Sequence, residues 1–261
     1  MKILILGCGP AGLIAAHAAV KRGHDVVIAS KPRKSKMNGA QYLHAPIPDA
    51  NTLPEFTINY QLAGDVAGYR NKVYGPDSEV EVSPESLVGQ HPAWDIREAY
   101  NWLWDQYMQL VNPFEASPDH LLNRMRRVRP DQVISTIPAP YLCARKHDFE
   151  YAMVHATEFA HGQIRNNTVL CQGDEQIPWY RSSRIQEYQN TEWPAMYRPA
   201  PDMAMSRVWE VTKPITTNCN CFPAVTRMGR YGQWKKGVLS HEAWDETNNL
   251  LDRIEHGGNT Q

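Results

Sequence analysis

The sequence predicts an α/β fold in which a Rossmann-type unit of parallel strands is interrupted by a second, mainly antiparallel β lobe. Three observations lead there. A glycine-rich turn, Gly7-Cys8-Gly9-Pro10-Ala11-Gly12, stands between a short apolar strand and an Ala-rich helix. Alternating apolar residues then break the βα rhythm over 55–63 and 79–82, as half-solvated antiparallel strands do. A capped helix running into an apolar strand, over 117–136, marks the return to the parallel sheet.

The elements follow in order. Residues 2–6 form a strand, 12–22 a helix stopped by Gly23, and 26–29 a second strand; together they make a βαβ unit of about 30 residues. Phe56, Ile58, Tyr60 and Leu62 alternate with polar neighbours, and so do Val80 and Val82. Over 95–111, Ile96, Ala99, Tyr100, Leu103, Trp104, Tyr107, Met108 and Val111 recur at offsets of three and four, one apolar face of a helix that Pro113 ends. Ser117-Pro118-Asp119 supplies a capping hydroxyl and a proline at the first helical position, and Leu121, Leu122, Met125 and Val128 continue the period. Residues 131–136 are a strand entering Ile137-Pro138; 164–170, 179–188 and 206–211 read as further strands, and 240–254 as a closing helix. On this reading 1–45, 115–145 and 213–261 make the nucleotide-binding domain, with 46–114 and 146–212 as the inserted lobe. Eight tryptophans and twelve tyrosines mostly fill core, with 179–188 a candidate aromatic pocket wall.

A chain of 261 residues can bury a full core. The formal net charge is -1 with both signs interspersed, so nothing calls for nucleic acid or an anionic membrane as partner. No apolar run approaches the roughly 20 residues that span a bilayer. The expectation is a cytosolic protein with a small-molecule substrate; no feature specifies an oligomeric state. The five cysteines are odd in number, and Cys219-Asn220-Cys221 is a lone pair without a second pair, so free thiols and no metal are expected. Asp174, Glu175 and His161 likewise lack metal-ligand spacing, and the Asn166-Asn167-Thr168 sequon would matter only after secretion.

The chemistry begins at the glycine turn. Gly7 permits the tight turn, Gly9 lets backbone approach a pyrophosphate, and Gly12 allows helix and strand to pack closely; Pro10 and Ala11 open the helix whose positive end faces the phosphates. The acidic residue that would hold the adenosine ribose at the end of the second strand is replaced by Ala29-Ser30-Lys31-Pro32-Arg33-Lys34. Ser30 could contact the ribose of an FAD, or Lys31, Arg33 and Lys34 could accept the 2′-phosphate of NADP.

Three segments resemble the flavin-dependent amine oxidase and UDP-galactopyranose mutase superfamily: the glycine motif, Val133-Ile134-Ser135-Thr136-Ile137-Pro138, and Gly229-Arg230-Tyr231 followed by Gly237-Val238-Leu239-Ser240. The resemblance covers about a third of the chain. It implies a glutathione-reductase-like FAD-binding domain, with Thr136, Arg230, Val238 and Leu239 near the flavin and a helix N-terminus at Leu239 favouring its reduced, anionic form. Gly39-Ala40-Gln41-Tyr42-Leu43-His44 falls where those proteins carry a small-residue turn under the flavin, which puts Gln41 among the cofactor contacts. His44 as a proton relay, Tyr180, Arg181 and Arg184 on an aromatic strand, and Lys236 are the candidates for chemistry. The expected activity is an FAD-dependent oxidation or reduction of a small organic substrate, with an amine or amino-acid-like group implied by the resemblance. Two alternatives stay open: a sugar-nucleotide mutase type of flavin enzyme, with Arg181, Arg184 and Arg230 meeting a pyrophosphate, and an NADP- or FAD-binding module without turnover.

Overall fold

The computed structural model describes residues 1–31, 42–161, 163–199 and 207–257. In chain order its strands are β1 (Lys2–Leu6), β2 (Asp25–Ser30), β3 (Tyr42–Leu43), β4 (Glu55–Ala63), β5 (Gly89–Asp95), β6 (Val111–Pro113), β7 (Gln132–Ser135), β8 (Phe149–Thr157), β9 (Thr168–Gln172), β10 (Arg181–Ile185), β11 (Tyr188–Pro194), β12 (Val208–Thr217) and β13 (Val225–Arg227). The helices are α1 (Pro10–Lys21), α2 (Val66–Tyr74), α3 (Ile96–Tyr107), α4 (Pro118–Val128), α5 (Gly229–Gln233) and α6 (Ala243–Gly257).

Five strands form a parallel sheet in the order β13-β7-β1-β2-β6. Side chains alternate across a strand, and β1 shows the consequence. Ile3 and Ile5 enter a core with Leu13, Ala16, Ala99, Leu103 and Leu251, whereas Leu4 and Leu6 enter another with Phe114, Leu121, Val133 and Val225. The sheet is therefore covered on both faces. Apolar burial at about 25 cal/mol per Å² makes this strand the centre of the α/β half.

α1 starts at Pro10 after Gly9, and its alanines leave room for close neighbours on two sides, α3 and α6. His17 is buried inside this group at 1% exposure. Its Nε2 donates to the Pro48 carbonyl over 2.8 Å, which leaves Nδ1 to accept from the Tyr107 hydroxyl over 2.6 Å. α3 is capped by Asp95, whose carboxylate accepts from the amides of Arg97 and Glu98. α4 is capped by Ser117, whose hydroxyl accepts from the His120 amide, as its sequence predicts.

The second sheet has eight strands in the order β12-β8-β11-β10-β9-β4-β5-β3. Every pair is antiparallel except β4 with β9, which run parallel. α2 docks here because glycines let backbone meet backbone: a Cβ on Gly68 would stand 2.0 Å from the Gly173 carbonyl oxygen. Lys72 of α2 then donates to the carbonyls of Gln172 and Trp179 at 3.2 and 3.3 Å.

The structure corrects several sequence expectations. Residues 79–82 form no strand despite their alternation; the antiparallel partner of β4 is β5, whose Gln90-His91-Pro92 start hid it. The single strand expected over 179–188 is a hairpin, β10 and β11, reversing at Gln186 in the left-handed region at φ 52°. The helix expected to reach 111 ends at Tyr107, and β6 then pairs with β2. With α3 on α1, residues 96–113 side with the parallel sheet and not with the lobe to which 46–114 was assigned. The boundary drawn at 212/213 cuts through β12, all of which lies in the eight-stranded sheet. No helix among the described residues is long and apolar enough to cross a membrane.

Candidate functional site

The parallel sheet continues from β1 to β2 on one side and to β7 on the other, so the order reverses between β1 and β7. Crevices at the carboxyl ends of strands at such a reversal bind ligands. The glycine turn sits there. Gly7 has φ 101°, a conformation few side chains adopt, and a Cβ on it would meet the Thr136 hydroxyl at 2.6 Å. A Cβ on Gly12 would stand 2.0 Å from the Gly7 carbonyl oxygen, so these two glycines are required by the fold itself. Gly9 differs: a Cβ there meets nothing within 4 Å. Its backbone faces open space at the start of α1, where an approaching phosphate would find amides and the positive helix end.

Thr136 closes one wall, with its amide and hydroxyl both donating to the Leu6 carbonyl, at 2.9 and 3.1 Å. α5 closes another: a Cβ on Gly229 would lie 2.8 Å from the Ala11 Cβ, which brings Arg230 beside the turn. Arg230 Nε is buried with no hydrogen-bond partner among the described residues, and so is the Ser135 hydroxyl at the end of β7. Buried donors without partners are rare. The turn around Val238 and Leu239 also packs on α1 through residues 240–242, although the Leu239 amide donates to the Glu242 carboxylate over 2.9 Å. That amide is therefore already engaged, a correction to the helix-terminus reading at this one donor.

Ser30 ends β2 and is buried; its hydroxyl accepts from the Cys8 amide over 3.1 Å, so it braces the glycine turn. Lys31 follows, exposed, its carbonyl accepting from the Cys8 thiol over 3.5 Å. Gln41, with Arg33 and Lys34, lies outside the described residues.

The candidates for chemistry separate. Tyr180 is wholly buried, and its hydroxyl donates to Glu192. Arg181 is 30% exposed and donates to Glu192 Oε1 over 2.5 Å, while Lys213 donates to Oε2 over 2.6 Å. Two cations thus share one carboxylate that is 1% exposed. Burial would raise the Glu192 carboxyl, but Arg181 and Lys213 outweigh it and hold it well below the usual range; burial pushes Lys213 down to about 8. Sequence reasoning missed both Glu192 and Lys213. Arg184 is exposed.

A band of tyrosines continues from this group. The Tyr42 and Tyr60 hydroxyls hydrogen-bond to each other, and Tyr42 stacks obliquely on His44 at 4.9 Å between ring centroids. His44 in turn lies 6.1 Å from the His241 ring, just after Leu239. Partial desolvation and the neighbouring His241 and His91 lower the His44 pKa. Lys236 donates to the Glu81 carbonyl and stands over the Tyr74 ring at 5.1 Å. Burial and the nearby Arg230 charge lower the Lys236 pKa.

No protein-family model and no curated protein matches the sequence. Solved structures do match. A geranylgeranyl bacteriochlorophyll reductase-like protein from Thermoplasma acidophilum aligns with TM-score 0.59 and 10% identity, over 98% of this chain and 79% of that one. A flavoprotein/dehydrogenase from Cytophaga hutchinsonii gives TM-score 0.59 and 11% identity over 100% and 80%. A probable FAD-dependent monooxygenase from Pseudomonas aeruginosa gives 0.57 and 10% over 98% and 87%. The chain shares their fold. That fold is the Rossmann-type α/β architecture with an inserted, mainly antiparallel sheet, expected from the glycine turn and the alternating segment that becomes β4. These matches support it without supporting the narrower amine oxidase or sugar-nucleotide mutase membership.

The fold also gathers two pairs of residues that lie far apart in sequence, Cys143 with His147 and Cys219 with Cys221, whose ligand atoms all lie within 4.8 Å of one another. The thiols are free, as expected, and the proximity of these four side chains was not legible because the sequence reading compared only close neighbours along the chain.

Proposed function

We propose that the protein is an FAD-dependent oxidoreductase acting on a small organic substrate that carries an acidic group. The observation that carries the cofactor half is the open space at Gly9, in a turn whose other two glycines the backbone requires. Gly7, Gly9, Pro10, Ala11 and Gly12 would hold the pyrophosphate, Ser30 and Lys31 the adenosine side, and Thr136, Arg230, Val238, Leu239 and Gln41 the flavin side. FAD, when bound, supplies the exchange of hydride with the substrate. The similar folds of a geranylgeranyl bacteriochlorophyll reductase-like protein, a flavoprotein/dehydrogenase and a probable FAD-dependent monooxygenase support the reading.

The chain's own residues perform the remaining work. Arg181, Lys213 and Glu192 sum to one excess positive charge at a largely buried position, and an acidic substrate group would offset it. An amino-acid-like substrate fits this electrostatic demand through its carboxylate; the amine half rests on the sequence resemblance. The tyrosine band from Tyr42 to Tyr74 provides apolar faces that exclude water. His44, with its lowered pKa, is neutral near pH 7 and able to accept a proton.

The test is the visible absorption spectrum of the purified protein, with the released cofactor identified after denaturation. Oxidised-flavin bands and released FAD are expected, followed by bleaching with acidic substrates under exclusion of air. A colourless protein that cannot be reconstituted with FAD but binds NADPH would overturn the flavin reading and give the cofactor to the basic loop after Ser30.

A further inference from the structure

We propose that Cys143, His147, Cys219 and Cys221 form a structural zinc site. Their ligand atoms lie within 4.8 Å of one another, with His147 Nδ1 at 3.3 Å from the Cys143 sulfur and 3.6 Å from the Cys221 sulfur. A tetrahedral zinc with sulfur at about 2.3 Å and nitrogen at about 2.0–2.1 Å places sulfur and nitrogen roughly 3.6 Å apart. Both measured edges fall within a few tenths of an ångström of that value. Three sulfurs and one imidazole in a tetrahedral arrangement select zinc among the common divalent ions, and four protein ligands leave no open position for catalysis. Zn²⁺ would enter as the three thiols lose their protons to solvent, giving three thiolates and a net charge of −1 on the cluster.

The surroundings suit that charge. Arg227 on β13 donates to the Cys219 sulfur over 3.3 Å and to the carbonyls of Cys219 and Cys221 at 3.0 and 3.1 Å. One guanidinium thus shapes the Cys219-Asn220-Cys221 loop and lies against a ligand sulfur, the role of an outer-shell partner. Position in the fold supplies a purpose. Cys143 and His147 lie on the connection from β7 to β8, and Cys219 and Cys221 on that from β12 to β13. β7 pairs with β13 in the parallel sheet, and β8 with β12 in the other. The ion would clamp the two neighbouring crossings where the chain leaves the parallel sheet and re-enters it, a join also tied by Thr217 donating to the Asp148 carbonyl over 2.6 Å and by the Asp148 amide donating to Asn218 Oδ1 over 3.3 Å.

The test uses the full chain, reduced and stripped of metal by a chelator, then titrated with Co²⁺ while absorption is recorded. Expected are saturation at one Co²⁺ per chain, a thiolate-to-cobalt charge-transfer band with tetrahedral ligand-field bands, and bleaching by one equivalent of Zn²⁺. Cys219→Ser should weaken binding by more than about tenfold, the loss that even outer-shell partners cause. Cys171→Ser, at a buried thiol on β9 away from the cluster, should leave it unchanged. If Cys219→Ser does not fold, His147→Cys keeps four ligands and should retain the metal with a shifted spectrum. Absence of the charge-transfer band in the reduced protein overturns the site. So does an octahedral spectrum unaffected by the cysteine change, which would place the ion on the exposed Asp252, Glu255 and His256.

Discussion

At the scale of single residues, neighbouring glycines of one motif have different duties. Gly12 is held by the fold, because a Cβ would run into the Gly7 carbonyl oxygen at 2.0 Å. Gly12→Ala should therefore destabilise the protein by about 1–3 kcal/mol, as overpacking does, read from the urea midpoint. Gly9→Val should leave that midpoint nearly unchanged and abolish FAD retention, since its side chain would point into open space; a variant that keeps a full complement of cofactor would remove the phosphate role from this turn. Glu192 joins two cations and a tyrosine in the second sheet. Glu192→Gln leaves the largely buried Lys213 and the partly exposed Arg181 without a counter-charge and should destabilise the protein, by up to about 3–5 kcal/mol. Because its folded pKa is depressed, Glu192 contributes stability that is present above about pH 4.3 and lost as pH falls below that value. The acid limb of the stability profile should be shallower in Glu192→Gln.

At the scale of elements, the junction of α1 and α3 depends on an imidazole. His17 joins Tyr107 to the carbonyl of Pro48, and burial lowers its pKa against the raising effect of that carbonyl. The folded state therefore holds it neutral, and the unfolded chain takes up the proton first as pH falls through about 6.5. Its contribution is present above that value and is lost below it. Urea unfolding one unit above and one unit below should show this slope in the wild type and not in His17→Leu; an equal slope in both would detach the pH dependence from this helix pair. The helical period of 95–111 was legible because Ile96, Ala99, Tyr100 and Leu103 are neighbours on one face. Its partner was not, because nothing local says that the face meets α1 rather than the second sheet.

At the scale of the whole molecule, two sheets are built from interleaved stretches of chain, and ligand binding to the native state adds to global stability by mass action. FAD at about 100 times its dissociation constant should raise stability by about 2.7 kcal/mol, seen as a higher thermal midpoint. FMN, lacking the adenosine and second phosphate, should shift it less. An equal or larger shift with NADP than with FAD would reassign the crevice at Gly9.

By itself the sequence determined the βαβ start, the glycine turn and the capped helix at Ser117, because each rests on residues within a few positions of one another and on the fixed periods of strand and helix. It also identified Arg181 and Arg230 as chemically able groups. Only the tertiary structure decided what those groups meet. Glu192 and Lys213 touch because β11 and β12 both pair with β8, a register set by packing across the sheet. Tyr180 lies in the core against that carboxylate for the same reason. Cys143 and His147 meet Cys219 and Cys221 because two crossings between the sheets lie side by side. Contacts of that kind follow from which strands pair, a choice made by the packing of the whole core and carried by no short stretch of sequence.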